Sequence, residues 1–162
     1  KAHAAAPGKF LLATEACTCP GVRVMDWERG ETYGYDIIGD LQNWAVGWTD
    51  WNMLLDMQGG PNHLNNFCDA PIVSDGKKLY YQVPYYYMGQ ISRYVLPGYV
   101  HIASDEGAGM KGMSVVAFQG DGHSVVVVMN QNDQAVQLAL ADPDHGFASV
   151  TSLPHSMMTL LY

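Results

Sequence analysis

The chain has 162 residues, 48% of them apolar, and a formal net charge of −8. That composition suits one ordinary globular core, and the acidic balance excludes nucleic acid as a partner because no basic stripe could neutralise phosphates. No apolar run approaches the ~18 residues of a membrane span. Charged residues reach only 15%, against a usual content of about a quarter, so other protein is expected to cover part of the surface.

Residues 1–8 are small and end in Pro7-Gly8. They read as loop or as the tail of a helix, cut from a longer chain. Phe10 to Thr14 form an apolar run that meets a single carboxylate, Glu15. Such a run predicts a strand covered on both faces, as in a parallel sheet. A carboxylate at its carboxyl end either does chemistry or simply reaches water or an arginine. Residues 16–30 hold many turn formers and predict a long loop.

Over residues 31–45, Tyr35, Ile37, Ile38, Leu41, Trp44 and Ala45 recur at spacings of three and four. That period predicts an amphipathic helix. A short aromatic run over 46–52 predicts a second buried strand, which makes one βαβ unit with a parallel pair. Residues 53–76 predict another long loop, with Gly59-Gly60-Pro61-Asn62 as its turn signal. A helix is expected over 84–95, with Pro84 in its first turn and Pro97-Gly98 after its end.

Beyond Gly98 the pattern changes to short apolar runs at 100–104, 113–119, 124–130, 135–141, 148–153 and 157–162. Gly120-Asp121-Gly122 is a hairpin signal, and Asp142-Pro143-Asp144 reads as a turn. This spacing predicts an antiparallel β-sandwich. The domain organisation expected is 1–98 and 99–162.

Three cysteines, Cys17, Cys19 and Cys68, leave at least one thiol free. Cys17 and Cys19 stand one residue apart, a poor spacing for a relaxed disulfide. There is no Cys-x-x-Cys pair, and the six histidines are scattered without metal-ligand spacing, so no metal or other cofactor is expected. Trp48 suits a core position. Trp51, between Asp50 and Asn52, suits a sugar platform as well as it suits a core. Asn62 suits turn chemistry.

Taken together these segments resemble the C-terminal part of glycoside hydrolase family 30, most closely its glucosylceramidase branch. The resemblance is carried by Phe10-Leu-Leu-Ala-Thr-Glu-Ala-Cys17, Trp27-Glu-Arg-Gly30 and Val46-Gly-Trp-Thr-Asp-Trp-Asn52. Gly59-Gly-Pro-Asn62, Asn66-Phe67, Asp69-Ala-Pro-Ile72, Ser124-Val-Val-Val-Val-Met-Asn130, Asp142-Pro143 and Gly146-Phe147 follow in the same order. It implies α/β plus all-β architecture: strands seven and eight of a (β/α)8 TIM barrel with their helices, then β-sandwich strands.

The resemblance also implies roles. Glu15 matches the nucleophile, Trp51 the aromatic against the glucosyl ring, Asn66 a polar sugar contact, and Cys17 a free thiol beside the nucleophile. The loop over 18–25 departs from the family pattern and holds an additional Cys19, which bears on aglycone preference. A retaining glycosidase needs two carboxyl groups, and no second Asp or Glu here sits on a matching strand end. The expected partner is therefore the N-terminal part of the same enzyme, as a separate chain or a further segment. The expected substrate is a β-glucoside or glycolipid, with peripheral contact with lipid and a lysosomal or secreted location. Hydrogen bonds or a cation are expected beside Glu15, to keep it ionised. The alternative is a non-catalytic carbohydrate-binding or structural glycosidase-like protein.

Overall fold

The computed structural model describes residues 1–102 and 110–162. They form two compact units, Lys1–Gly89 and Gln90–Tyr162. The last part of the run expected at 100–104 lies outside the described residues.

In the first unit a short helix α1 (Ala2–Ala5) precedes strand β1 (Leu11–Ala16). Helix α2 (Trp27–Gln42) and strand β2 (Ala45–Asp50) follow. β1 and β2 pair in parallel, as the βαβ reading requires. The helix starts four residues earlier than its periodicity suggests. Asp26 caps it by accepting a bond from the Arg29 N–H at 3.3 Å, and Glu28 adds negative charge in the first turn. Tyr33, Ile37 and Ile38 are buried. Tyr35 and Trp44, expected on the apolar face, are exposed; Trp44 lies beyond the helix at a positive φ of 75° and stacks on His3 instead.

β1 departs from its expectation of cover on both faces. Phe10 is 77% exposed and Leu12 about half exposed. β1 pairs with β2 alone among the described strands, so one flank and one face remain open.

The loop expected over 53–76 contains two strands, β3 (Leu54–Asp56) and β4 (Ile72–Ser74). With β5 (Leu79–Tyr81) they form a sheet ordered β3-β4-β5, parallel then antiparallel. Strands of three residues are too short to leave a period in the sequence. Leu55, Ala70 and Val73 form their small core. Helix α3 (Val83–Ser92) follows, with Pro84 in its first turn as expected. Gly30 of α2 is required there: a Cβ would run into Val83 and Tyr87. On α3 Tyr87 is buried while Tyr85 and Tyr86 are exposed, and Tyr80 and Tyr81 lie on β5.

The second unit holds β6 (Val100–Ile102), β7 (Met113–Gly120), β8 (His123–Asn130), β9 (Val136–Asp142), β10 (Gly146–Ser152) and β11 (Ser156–Leu161). One sheet runs β11-β8-β7-β6 and the other pairs β10 with β9, all antiparallel. Asp121 and Gly122, at φ 50° and 78°, close the β7–β8 hairpin where the turn signal predicts it. Met113, Ala117, Val126 and Val128 pack against Val136, Leu138 and Leu140 of β9 and Met158 and Leu160 of β11. The alternation along β9 is that of a half-covered antiparallel sheet. Asp142 takes the N–H groups of Asp144 and His145 at 2.8 and 2.9 Å, which makes the expected turn and holds its carboxyl down to about 2.

Candidate active site

Parallel strands bring their carboxyl ends to the same side, and the register then decides which residues meet. Ala16 of β1 pairs with Asp50 of β2, and the Trp51 N–H donates to the Ala16 carbonyl at 2.8 Å. Glu15 and Trp51 therefore stand at neighbouring strand ends. Glu15 is exposed, and Trp51 is 38% exposed. Among the described residues none bonds to the Glu15 carboxylate, so the hydrogen bonds or cation expected beside it are not supplied by these residues.

Asp50 lies behind this pair. Its Oδ1 accepts from the Tyr33 hydroxyl and from the Trp51 N–H, each at 2.9 Å, while its buried Oδ2 has no partner among the described residues. Burial pushes the Asp50 carboxyl above the ordinary carboxylate range. Tyr33 is shifted upward too, first by burial and then by the Asp50 charge. Trp48, expected in the core, is half-buried. Its ring meets Tyr33 edge-on, and its Nε1–H donates to Asp36 at 2.8 Å.

The segment after β1 runs beside the loop that carries Asn66. The Gly21 N–H donates to the Phe67 carbonyl at 2.7 Å, and the Asp69 N–H to the Thr18 carbonyl at 2.8 Å. A disulfide joins Cys19 to Cys68 across the same pair of segments, and Cys17 remains a free, exposed thiol. Sequence spacing left open which sulfurs would pair, and the partners lie 49 residues apart. The Cys17 thiol is pushed up by burial first, then by the charges of Glu15 and Asp50. Asn66 is exposed, and its loop is shaped by Asn62. The Asn62 side-chain oxygen accepts from the Leu64 and Asn66 N–H groups at 2.8 and 3.3 Å, which is the turn chemistry expected of it.

A buried polar network that sequence reasoning missed fixes these loops. Arg29, 3% exposed, forms an ion pair with Asp69 and donates to the carbonyls of Gly21 (2.6 Å) and Pro20 (3.0 Å). Asp69 also accepts from Gln82 and from the N–H groups of Arg23 (3.1 Å) and Ala70 (2.9 Å). Gln82 in turn accepts from the Met25 N–H at 3.2 Å. One guanidinium thus holds the turn after β1 against the segment after Asn66. The sequence signal was an arginine on the inner face of α2, next to a glycine.

An acid at the end of a parallel strand, an exposed indole beside it and an antiparallel sandwich in the same chain are compatible with the class of barrel-plus-sandwich glycoside hydrolases. The family model of the glycosyl hydrolase family 30 TIM-barrel domain matches residues 1–95, and that of the family's beta sandwich domain matches residues 98–160. The chain belongs to glycosyl hydrolase family 30.

Relatives agree with that placement. The lysosomal acid glucosylceramidase of Mus musculus is 36% identical over 99% of this chain and 32% of its own length. The crystal structure of SrfJ from Salmonella typhimurium superposes with a TM-score of 0.89 at 32% identity, covering 99% of this chain and 36% of that one. The endo-β1,6-glucanase BT3312 superposes with a TM-score of 0.81 at 26% identity, with the same two coverages. The chain thus spans about a third of the length of the curated relative and of these two structures.

Proposed function

We propose that the chain carries the nucleophile of a retaining β-glucosidase, with glucosylceramide as the preferred substrate class. The observation that carries this reading is the register of β1 against β2, with Glu15 and Trp51 at adjacent carboxyl ends. The name of the mouse relative supports the substrate class and a lysosomal setting.

In this reading Glu15 attacks the anomeric carbon and forms a covalent glucosyl-enzyme. The acid/base belongs to the N-terminal part of the family fold, outside residues 1–162, and stands roughly 5–5.5 Å from Glu15 as retention requires. It protonates the leaving oxygen and then activates water. Trp51 stacks on the apolar face of the sugar and Asn66 holds a hydroxyl, which fixes the ring for attack. The exposed apolar residues around β1 meet the strands of that N-terminal part.

The test is covalent trapping in the full-length protein. A fluoroglucoside or cyclitol epoxide is expected to label the peptide containing Glu15, and a fluorogenic β-glucoside is expected to be hydrolysed. An adduct on another residue would remove Glu15 from the role. Tight binding with neither adduct nor turnover would establish a carbohydrate-binding protein instead.

A further inference from the structure

The polypeptide leaves β2 at Trp51, and one N–H fixes its course there. That N–H meets two acceptors, the Ala16 carbonyl at 2.8 Å and Asp50 Oδ1 at 2.9 Å. The first belongs to the backbone of β1. The second holds only while the Asp50 side chain keeps one rotamer. Helix α2 sets that rotamer, because the Tyr33 hydroxyl donates to the same Oδ1 at 2.9 Å. Tyr33 is itself locked. It is buried, its ring meets Trp48 edge-on at 5.3 Å, and the Thr18 side chain is a second hydrogen-bonding partner of its hydroxyl. The other Asp50 oxygen, Oδ2, is buried without a partner among the described residues. A carboxylate with two donors on one oxygen and none on the other gains by turning out to water once a donor is lost.

We propose that Tyr33 is a positioning residue for the Trp51 indole, acting through the Asp50 carboxylate. The proposal rests on the reading of Trp51 as the platform for the glucosyl ring. Tyr33 is buried, so it acts on the sugar only through its neighbours. Its hydroxyl orients the carboxylate, the carboxylate helps to hold the Trp51 N–H, and the backbone then presents the indole beside Glu15. A platform fixed in this way loses less freedom when the sugar docks, so the bound ring stays aligned for attack. Tyr33→Phe keeps the ring against Trp48 and removes only the hydroxyl, which separates positioning from packing.

Two measurements on the full-length protein test it. Amide hydrogen exchange does not depend on catalysis. Tyr33→Phe is expected to speed exchange in the peptide that spans Trp51 by at least about threefold, while peptides from α2 keep their wild-type protection. Unchanged exchange around Trp51 would overturn the proposal, and so would faster exchange spread through α2, which is the mark of a purely structural role. Kinetically, Tyr33→Phe is expected to lower kcat/KM several-fold, within the roughly tenfold loss expected of Trp51→Ala. In a Trp51→Ala background the same change is expected to add less than about twofold. An undiminished loss in that background would also refute the assignment, because Tyr33 would then act by a route other than Trp51. Failure to label Glu15 in wild type would remove the nucleophile reading, and the exchange result would still decide whether Tyr33 holds Trp51.

Discussion

Two side chains at the end of β2 do different jobs although they are neighbours. Trp51 presents an indole to solvent, and Asp50 turns back into the protein against Tyr33. Trp51→Ala in the full-length protein is expected to lower kcat/KM for a β-glucoside roughly tenfold, the loss of one aromatic stacking contact. Unchanged kinetics would return Trp51 to a structural role. Asp50 makes a prediction about pH. Its carboxyl is shifted upward by burial, so the unfolded chain ionises first as pH rises. Stability therefore falls between the ordinary carboxylate pKa and the higher folded value, and Asp50→Asn removes that fall. The difference between the melting temperatures of wild type and Asp50→Asn, followed from pH 4 upward, is expected to shift steadily in favour of the variant until the folded carboxyl has ionised. A flat difference would show that Asp50 holds no unusual proton.

Among the elements, α2 carries more than its apolar stripe. It delivers Arg29 to Asp69 and thereby fixes two loops that never pair as strands. Arg29→Met removes one partner of a buried ion pair and leaves the Asp69 charge uncompensated. A loss of roughly 3–5 kcal/mol is expected, measured by denaturant unfolding. Asp69→Asn, which keeps its shape and much of its hydrogen bonding, should cost less. The β7–β8 hairpin offers a smaller test. Gly122 sits at φ 78°, so Gly122→Ala is expected to destabilise the second unit by about 1 kcal/mol. Both the hairpin and the strand–helix–strand unit were legible in the sequence, because turn residues and hydrophobic period are local signals. β3 and β4 were not, since they hold only three residues each and exist through pairing with each other.

At the scale of the whole molecule, β1 and β2 form a two-strand sheet whose edges are unpaired among the described residues. Two parallel strands cannot close a barrel, and an unpaired edge is a template for association. Phe10, Val46, Met53 and Leu54 are exposed around it. Residues 1–162 expressed alone are therefore expected to bind a hydrophobic dye and to elute as aggregates in size-exclusion chromatography. Co-expression with the N-terminal part of the family fold is expected to abolish both signals. A monodisperse chain without dye binding would show that this surface needs no further cover.

The sequence by itself determined the parallel unit, the sandwich hairpin and the family. Each of those signals is written within a few consecutive positions, in period, turn chemistry or motif. Only the tertiary structure decided that Cys19 takes Cys68, that Arg29 clamps Asp69, and that Asp50 turns inward. These contacts join residues tens of positions apart or depend on which way one strand end faces. Their energy comes from burial and from mutual geometry, and neither exists until the segments have come together.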